Sequence, residues 1–296
     1  MLSVLIPTYN YDVTNLVNSL HQQLTASKIQ FEILIFDDGS NSGLNSKNDK
    51  LNTLSFTTFK SHVKNVGLSN NRNLLAEASQ YDYILFIDGD SLIISDQYIS
   101  NYLKSITPKS SIIYGGRIHP EEVPKNRRLR WKYGKQREDL TAKQRAQQPY
   151  KCMFCNNILM TKAVFNSIGF EKTLNQYGHE DTLFAYQASL LNVDLLHINN
   201  PILHEDVDFN AVFLDKTKKS LQNLNYIYKS GLIPPSFISF LSYFTKLKTF
   251  KINYILAFLY YLINPIAKYI LNTKHSSLYL FDLFRISYFS HINLKK

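Results

Sequence analysis

The sequence is poor in the residues that mark several structural classes. It holds two cysteines, ten glycines and nine prolines in 296 residues. Two cysteines are too few for a disulfide scaffold. So little glycine and proline excludes collagen and makes a long low-complexity linker unexpected. With 45% hydrophobic and 19% charged residues, the composition is globular rather than disordered, and the length favours two domains.

Long hydrophobic runs are also scarce. No stretch of 18 uncharged apolar residues occurs, so the sequence predicts no clear transmembrane helix. The apolar start, residues 2–9, lacks a preceding positive segment and contains Pro7. We therefore interpret it as a first β-strand rather than as a targeting signal.

Positive charge is concentrated in one part of the chain. Residues 211–296 hold 12 basic and two acidic residues, whereas residues 1–210 hold 21 of each. Because the net charge of +10 resides in the C-terminal third, the chain is not expected to capture nucleic acid. A basic, aromatic-rich tail instead favours an anionic membrane surface as a partner.

Strand-like and helix-like segments alternate over the first 115 residues. Apolar runs at residues 31–36 and 83–87 end in acidic turns, and apolar residues at helical spacing occupy residues 14–24 and 68–78. This alternation predicts an α/β fold with a parallel sheet. Ligands of such sheets bind at the carboxyl ends of the strands, which is where the acidic turns lie.

Two segments break this pattern. Residues 117–151 hold 11 basic and four acidic residues and predict a long, mobile, basic loop, either a lid over an anionic substrate or a solvated surface loop. Beyond Gly231 the chain becomes rich in Phe, Tyr, Leu and Ile. We therefore predict an α/β domain at residues 1–228 and a helical, apolar-basic tail at residues 229–296.

Within the tail, residues 252–267 are uncharged but shorter than a membrane span. They predict a helix that lies in the plane of a membrane surface. Packing against the α/β domain or in a dimer, and insertion into the membrane, are the alternatives.

Two acidic clusters carry potential chemistry. Asp88 and Asp90 flank Gly89 after an apolar run, and the glycine allows a tight turn that brings both carboxylates to one hard cation, Mg²⁺ or Mn²⁺. Glu180 and Asp181 precede a helical pattern, where negative charge is favoured and a carboxylate can act as a general base. A surface turn and a helix-start pair are the respective structural alternatives.

Five motifs occur in a fixed order along residues 1–210. They are Val4-Leu5-Ile6-Pro7-Thr8-Tyr9-Asn10, Asp37-Asp38-Gly39-Ser40, Asn65-Val66-Gly67-Leu68-Ser69-Asn70-Asn71-Arg72-Asn73, Asp88-Gly89-Asp90 and Gly178-His179-Glu180-Asp181. Each is weak alone, but in this order the chain resembles the family-2 glycosyltransferases of the GT-A fold. The resemblance implies a Rossmann-like, mostly parallel sheet flanked by helices, and an inverting transfer of a sugar from a nucleotide-sugar, with a UDP-sugar expected.

The resemblance also implies how the donor is held. Pro7 and Thr8 would contact it through the backbone, and Tyr9 would stack on the base. Asp38 would accept a hydrogen bond from uracil. Arg72 would lie near the diphosphate or the base.

A metal site and a catalytic base follow from the same resemblance. Asp90 would bind Mn²⁺ or Mg²⁺ directly, Asp88 would face the ribose or the metal, and Gly89 would shape the turn between them. His204, after a short apolar run, would complete the metal shell. Asp181 would be the general base, with Glu180 beside it.

The implied acceptor is a glycan or a lipid-linked saccharide in cell-surface polysaccharide or glycolipid synthesis. Together with the basic tail, this predicts a cytoplasmic enzyme held peripherally on the inner face of the cell membrane. The sequence does not indicate the oligomeric state.

Two other function classes stay open. A nucleotidyltransferase also places acidic metal ligands at strand ends, but its glycine-rich, basic N-terminal signature is missing. A non-catalytic nucleotide- or glycan-binding module would not need the intact acids. A nicotinamide-dependent oxidoreductase is excluded because no Gly-x-Gly-x-x-Gly follows the first strand. Cys152 and Cys155 have zinc-like spacing but no second pair, so we interpret them as small apolar residues entering a strand.

Overall fold

A computed structural model describes residues 1–174 and 177–295 of the chain. The strands in chain order are β1 (Leu2–Thr8), β2 (Phe31–Asp37), β3 (Thr57–Ser61), β4 (Tyr83–Ile87), β5 (Ser91–Ile93), β6 (Ile112–Tyr114), β7 (Arg117–Ile118), β8 (Asn157–Thr161), β9 (Leu195–His197) and β10 (Ile202–His204). The helices are α1 (Thr14–Ala26), α2 (Asn45–Asn48), α3 (Leu68–Ala78), α4 (Tyr98–Ser105), α5 (Arg128–Arg137), α6 (Ala142–Arg145), α7 (Lys162–Ile168), α8 (Glu180–Leu190), α9 (Asn210–Lys229), α10 (Ser239–Thr249), α11 (Ile252–Leu271) and α12 (Leu278–Leu294).

The main sheet has seven strands in the order β3-β2-β1-β4-β8-β6-β9. β1 pairs in parallel with β2 and β4, and β2 pairs in parallel with β3. β8 is the exception, because it runs antiparallel to both β4 and β6. The predicted α/β fold with a mostly parallel sheet is therefore confirmed.

Helices cover both faces of this sheet, so its central strands are buried on both sides. Every residue of β1 and β2 is buried, which is why these strands are nearly continuous apolar runs rather than alternating ones. One apolar core lies between the sheet and α1 and α4, and a second lies between the sheet and α3, α7 and α8. The two cores fix the strand ends that carry the acidic turns.

A second, three-stranded sheet in the order β5-β10-β7 lies beside the main one. β10 pairs antiparallel with β5 and in parallel with β7. These strands have two or three residues each. They join segments more than 80 residues apart along the chain, and they bring the residues after β4 next to the residues at the end of β10.

The prediction of a loop at residues 117–151 was wrong. This segment contains β7, the ten-residue helix α5 and the short helix α6. Leu129 in α5 is fully buried among residues of α9, α11 and α12. The helix was missed because much of its attachment to the fold comes from buried ion pairs, described below, rather than from a broad apolar face.

The tail forms three helices, α10 to α12, which pack on α9 and α5 through two apolar clusters. In the described part of the chain one helix, α11, is long and apolar enough to cross a membrane by length and composition. This corrects the expectation that no such segment exists, because the 20-residue helix continues through Lys268 beyond the uncharged run. One such helix is weak evidence for a span, and 22% of its apolar window is buried inside the protein.

Candidate active site

The carboxyl ends of β1, β2 and β4 are tied together by backbone hydrogen bonds. Asp38 N donates to the Thr8 carbonyl at 2.9 Å, and Gly89 N donates to the Pro7 carbonyl at 3.2 Å. The family resemblance predicts that the backbone of Pro7 and Thr8 contacts the donor. In the structure these two carbonyls hold the two acidic turns at the edge of the sheet, and their contact with a donor stays a prediction.

Gly89 is required by the close approach of the first strand. A Cβ at this position would lie 2.9 Å from Thr8 Oγ1 and 3.1 Å from Val13 Cγ1. Thr8 is buried, and its hydroxyl has no hydrogen-bond partner among the described residues. The turn between Asp88 and Asp90 therefore packs directly on the end of β1.

Asp37 organises the turn after β2. Its carboxylate accepts hydrogen bonds from Ser40 N at 3.0 Å, Ser61 Oγ at 2.6 Å and Asn45 Nδ2 at 3.0 Å. Burial alone would raise its pKa, but the Ser40 and Ser61 hydroxyls outweigh it and hold the pKa of Asp37 below its usual range. This residue is a structural cap of the turn.

Asp38 is buried beside Asp37 and reaches towards the start of α3. Its two carboxylate oxygens accept hydrogen bonds from Val66 N at 2.6 Å and Gly67 N at 3.1 Å. Burial raises the pKa of Asp38. Tyr9, in contrast, is 54% exposed, so its ring is free to take a flat partner at this edge of the sheet.

Arg72, on α3, lies at the centre of the site. Its Nη1 donates to Asp181 Oδ1 and its Nη2 donates to Asp88 Oδ1, both at 2.8 Å. The guanidinium lies over the Phe170 ring, with Cζ 5.2 Å from the ring centroid, and the side chain is 1% exposed. One buried cation thus links two of the acids that the sequence motifs single out.

Asp181 and Glu180 begin α8, as predicted from the sequence. Besides its ion pair, Asp181 accepts a hydrogen bond at Oδ2 from Cys155 N at 3.1 Å, so both of its oxygens are oriented. Burial and the adjacent Asp181 raise the pKa of Glu180 from 4.5 to about 7. Cys155 is a fully buried free thiol in the apolar core, as predicted, but its backbone amide also positions Asp181.

The turn before α8 has an unusual backbone. Gly178 and His179 have φ values of 93° and 72°, a region that costs a non-glycine residue strain. A Cβ on Gly178 would lie 2.7 Å from Ser220 Oγ, and Asn223 Nδ2 donates to the Gly178 carbonyl at 2.9 Å. Because Ser220 and Asn223 belong to α9, that helix holds the turn that presents the acids.

The predicted metal ligands are brought together only in part. His204, at the end of β10, lies opposite Ser91 of β5, which places its Nδ1 3.4 Å from Asp90 Oδ2. Burial would raise the pKa of Asp90, but the His204 imidazole beside it outweighs burial and lowers it. Asp88 faces Arg72 instead, and within residues 1–174 and 177–295 no group of three acidic, His or Cys side chains is placed to hold a metal.

A buried ion network that sequence reasoning missed lies next to His204. Glu138 lies 2.7 Å from Arg117 Nη2 and 2.9 Å from Arg130 Nη1. Burial would raise its pKa, but the two guanidinium groups outweigh it and lower the pKa of Glu138 to about 2. His119 Nδ1 lies 2.6 Å from Asp139 Oδ1, and the His119 ring meets the His204 ring edge to face at 5.4 Å. The signal available in the sequence was the acidic pair 138–139 inside a basic segment.

A cleft of about 660 Å³ is lined in part by Leu203 and Glu205, the chain neighbours of His204. It is lined by Tyr11, Glu122, Arg127 and Asp206 together with neighbouring residues of the same segments. Burial and, after it, the nearby carboxylates of Asp90 and Asp206 raise the pKa of Tyr11 to about 12. Arg127 Nη1 donates to Asp206 Oδ1 at 2.9 Å across the cleft.

Comparison with known proteins gives a family and a fold. The family model described as glycosyl transferase family 2 matches residues 3–169, which is more than half of the chain. No curated protein sequence matches the chain.

Solved structures with the same fold include S. aureus TarS and a mannosyltransferase. Residues 1–349 of S. aureus TarS match with a TM-score of 0.52 and 20% identity, covering 75% of this chain and 64% of TarS 1–349. The chain thus spans less than two thirds of that relative. The mannosyltransferase PcManGT of Pyrobaculum calidifontis, in complex with GDP-Man and Mn²⁺, matches with a TM-score of 0.57 and 14% identity, covering 99% of this chain and 87% of the other. At these identities the likeness establishes the GT-A fold.

Proposed function

The chain belongs to glycosyl transferase family 2, and from this we propose that it is an inverting, metal-dependent glycosyltransferase that moves a sugar from a UDP-sugar to a saccharide or lipid-linked saccharide. Membership of the family supports sugar transfer from a nucleotide-sugar. One observation carries the finer proposal: Arg72 holds Asp88 and Asp181 on one guanidinium at 2.8 Å each. A candidate base is thereby fixed beside the metal-site turn.

We propose that the donor lies across the ends of β1, β2 and β4. The exposed Tyr9 ring would stack on uracil, and Asp38 would accept a hydrogen bond from it through a lone pair that its backbone contacts leave free. Arg72 would face the diphosphate side. A TarS structure in complex with UDP-GlcNAc, at 18% identity and a TM-score of 0.52, supports a uridine donor, whereas the GDP-Man complex of PcManGT makes a guanosine donor the alternative to test.

We propose that this part of the site would take a hard divalent cation. Asp90 and His204 lie side by side and offer a carboxylate and an imidazole. Asp88 has a second carboxylate oxygen beyond the one bound to Arg72. Mg²⁺ and Mn²⁺ accept few protein ligands when phosphate oxygens and water supply the others. When bound, such an ion would neutralise the charge that develops on the departing nucleoside diphosphate.

Asp181 is the proposed general base. A sugar hydroxyl is a weak nucleophile near neutral pH, and a carboxylate within hydrogen-bond reach removes its proton as the new bond to the anomeric carbon forms. Arg72 and Cys155 N fix the two oxygens of Asp181, so the base needs no reorientation. Attack in line with departure of the diphosphate inverts the anomeric centre. Glu180 adds a neighbouring carboxyl group whose charge depends on pH.

We further propose a catalytic domain at residues 1–228 and a helical segment at residues 229–296. The acceptor would be a growing glycan or a lipid-linked saccharide on the cytoplasmic face of a membrane, with the enzyme bound there peripherally. The basic excess of residues 211–296 supports this placement.

The experiment is a donor panel. Release of nucleoside diphosphate from UDP- and GDP-sugars, with and without Mn²⁺, would be measured for the wild type, Asp90→Ala, Asp181→Asn and the exposed-acid control Asp194→Asn. We expect Mn²⁺-dependent turnover of one UDP-sugar that is unchanged in Asp194→Asn. Turnover should fall at least about 100-fold in Asp181→Asn, which loses the general base, and in Asp90→Ala, which loses a ligand of the ion that neutralises the leaving group.

Other outcomes would contradict parts of the proposal. Retained turnover in Asp181→Asn would move the base to another residue. Turnover of a GDP-sugar alone would overturn the uridine donor. Metal-dependent donor binding without turnover on any donor or added acceptor would indicate a non-catalytic module, and release of pyrophosphate instead of nucleoside diphosphate would indicate a nucleotidyltransferase.

A further inference from the structure

One face of α11 is apolar, aromatic and exposed along the whole helix. It is formed by seven residues, each more than half exposed: Tyr254, Ile255, Phe258, Tyr261, Leu262, Ile266 and Tyr269. At 3.6 residues per turn these positions fall within an arc of roughly 140°. We call them the α11 face. Large apolar side chains scattered singly on a surface need no explanation, but seven in one continuous stripe mark an interaction site.

The opposite side of α11 is committed to the protein. Ala267 and Leu271 are fully buried against Phe281 and Phe284 of α12. Lys218 of α9 reaches Asn264 Oδ1 at 3.4 Å. Because this side is packed on protein, α11 fits a surface that covers one face better than a bilayer that surrounds a helix.

Lysines border the α11 face at both ends. Lys246 and Lys251 lie before it, Lys268 lies in its last turn and Lys274 lies beyond it. All four are exposed. Residues 229–296 contain one acidic residue, Asp282, and its carboxylate is taken by Arg137 at 2.9 Å and Arg285 at 3.3 Å. The α11 face is therefore bordered by positive charge that no free carboxylate of residues 229–296 offsets. Two copies of this face would bring like charges together, which disfavours self-association.

We propose that the α11 face lies in the headgroup region of an anionic lipid bilayer, with α11 parallel to the membrane plane. An in-plane helix buries its apolar face about 5–10 Å deep and gains attraction from basic residues at its edges. The tyrosines suit this depth because the ring is apolar and the hydroxyl stays wet. The lysines extend their stems over the apolar surface and keep the ammonium groups at the lipid phosphates. The inference does not depend on the proposed reaction.

Vesicle binding of the full chain tests this assignment. Co-sedimentation would be measured with vesicles of phosphatidylcholine alone and with vesicles in which about one third of the lipid is phosphatidylglycerol. We expect binding to the second kind that weakens as salt rises. Phe258→Ser/Leu262→Ser should lower this affinity by at least about tenfold, because two apolar side chains no longer enter the bilayer. The control Val63→Ser/Leu190→Ser changes two exposed residues elsewhere and should bind like the wild type.

Two charge-reversal double variants measure the electrostatic contribution to vesicle binding. Lys251→Glu/Lys268→Glu should lower binding to the anionic vesicles by about tenfold or more, whereas Lys50→Glu/Lys109→Glu, at exposed lysines far along the chain, should change it little. Absence of binding to anionic vesicles would overturn the proposal. So would vesicle binding that Phe258→Ser/Leu262→Ser and Lys251→Glu/Lys268→Glu both retain. A lipid-independent dimer that Phe258→Ser/Leu262→Ser dissociates, with no vesicle binding, would make the face a contact between copies. Since these readouts need no turnover, they are separate from the test of the enzyme.

Discussion

At the scale of single residues, Arg72 determines how the site can work. It is buried at 1% exposure and paired with carboxylates from two distant segments, Asp88 and Asp181. A buried charge that loses one partner leaves the other uncompensated, which typically costs about 3–5 kcal/mol. Arg72 was predicted to lie near the donor, and the structure gives it a second role as the partner of two carboxylates. It fixes the spacing between the proposed base and the metal-site turn before any donor binds.

Glu180 provides a prediction with a defined dependence on pH. Its native pKa is about 7 against 4.5 for an ordinary glutamate. Between these values the native state keeps a proton that the unfolded state releases, so raising the pH favours unfolding. Glu180→Gln removes this effect. The free energy of unfolding of Glu180→Gln minus that of the wild type should therefore rise from pH 4 to pH 8, by about 1–3 kcal/mol.

Urea unfolding at both pH values, without divalent cations, measures this difference. Glu77→Gln is the matched control, because Glu77 is exposed on α3. For the control, the difference from the wild type should stay constant with pH. A difference for Glu180→Gln that is equally constant would show that Glu180 ionises as an exposed carboxyl group does.

At the scale of elements, α5 is held to the fold by a steric fit as well as by ion pairs. Gly134 lies in the last half of α5 and directly on the imidazole of His119, where an added Cβ would come within 2.3 Å of the ring. That ring is fixed by Asp139 at 2.6 Å and adjoins His204 at the proposed metal site. The glycine therefore lets a helix approach the site closely.

Gly134→Ala sets two effects against each other. Alanine favours a helix over glycine by about 1 kcal/mol, whereas overpacking of a fixed site costs about 1–3 kcal/mol. Because the ring is buried and hydrogen-bonded, we expect the clash to dominate and the free energy of unfolding to fall by about 1–2 kcal/mol. Gly43→Ala, where a Cβ meets nothing within 4 Å, should change it by less than about 0.5 kcal/mol. Greater stability of Gly134→Ala in urea unfolding would mean that α5 moves away from His119 without cost.

The same elements explain which features the sequence could predict. β1, β2 and β4 were predicted from sequence because they are short apolar runs, and β2 and β4 also end in acidic turns; local pattern suffices for such strands. A strand ending at His204 was also expected from the apolar residues before it, and β10 confirms it. β5 and β7 have two or three residues and exist only through pairing with β10. The Arg72–Asp181 pair joins residues 109 positions apart. The family motifs indicated both residues, but no local signal showed that they touch or that Asp88 faces Arg72.

At the scale of the whole molecule, the predicted α/β domain and the tail are joined by shared apolar clusters. Leu183 of α8 packs with Ile227 of α9 and Ile233 beyond it. Leu129 of α5 packs with Leu214 of α9 and with three buried residues of α11 and α12, Leu271, Phe281 and Phe284. Asn223 of α9 also holds the turn before the proposed base. The tail therefore packs on the same helix that positions this part of the site.

This sharing predicts that the chain unfolds as one unit and that Leu129→Ala weakens all of it. Leu129 is fully buried, and removing a buried leucine side chain costs about 2–5 kcal/mol.

Two probes measure this unfolding. The single tryptophan, Trp131, lies on α5 and donates to the Pro120 carbonyl at 2.7 Å, so its fluorescence follows α5, while far-ultraviolet circular dichroism follows every helix. The two urea transitions should coincide in the wild type and shift together in Leu129→Ala, whereas Leu190→Ala, at a 61% exposed position, should shift neither by more than about 0.5 kcal/mol. Two separate transitions, with Leu129→Ala moving only the fluorescence one, would instead show that residues 229–296 fold independently of the α/β domain.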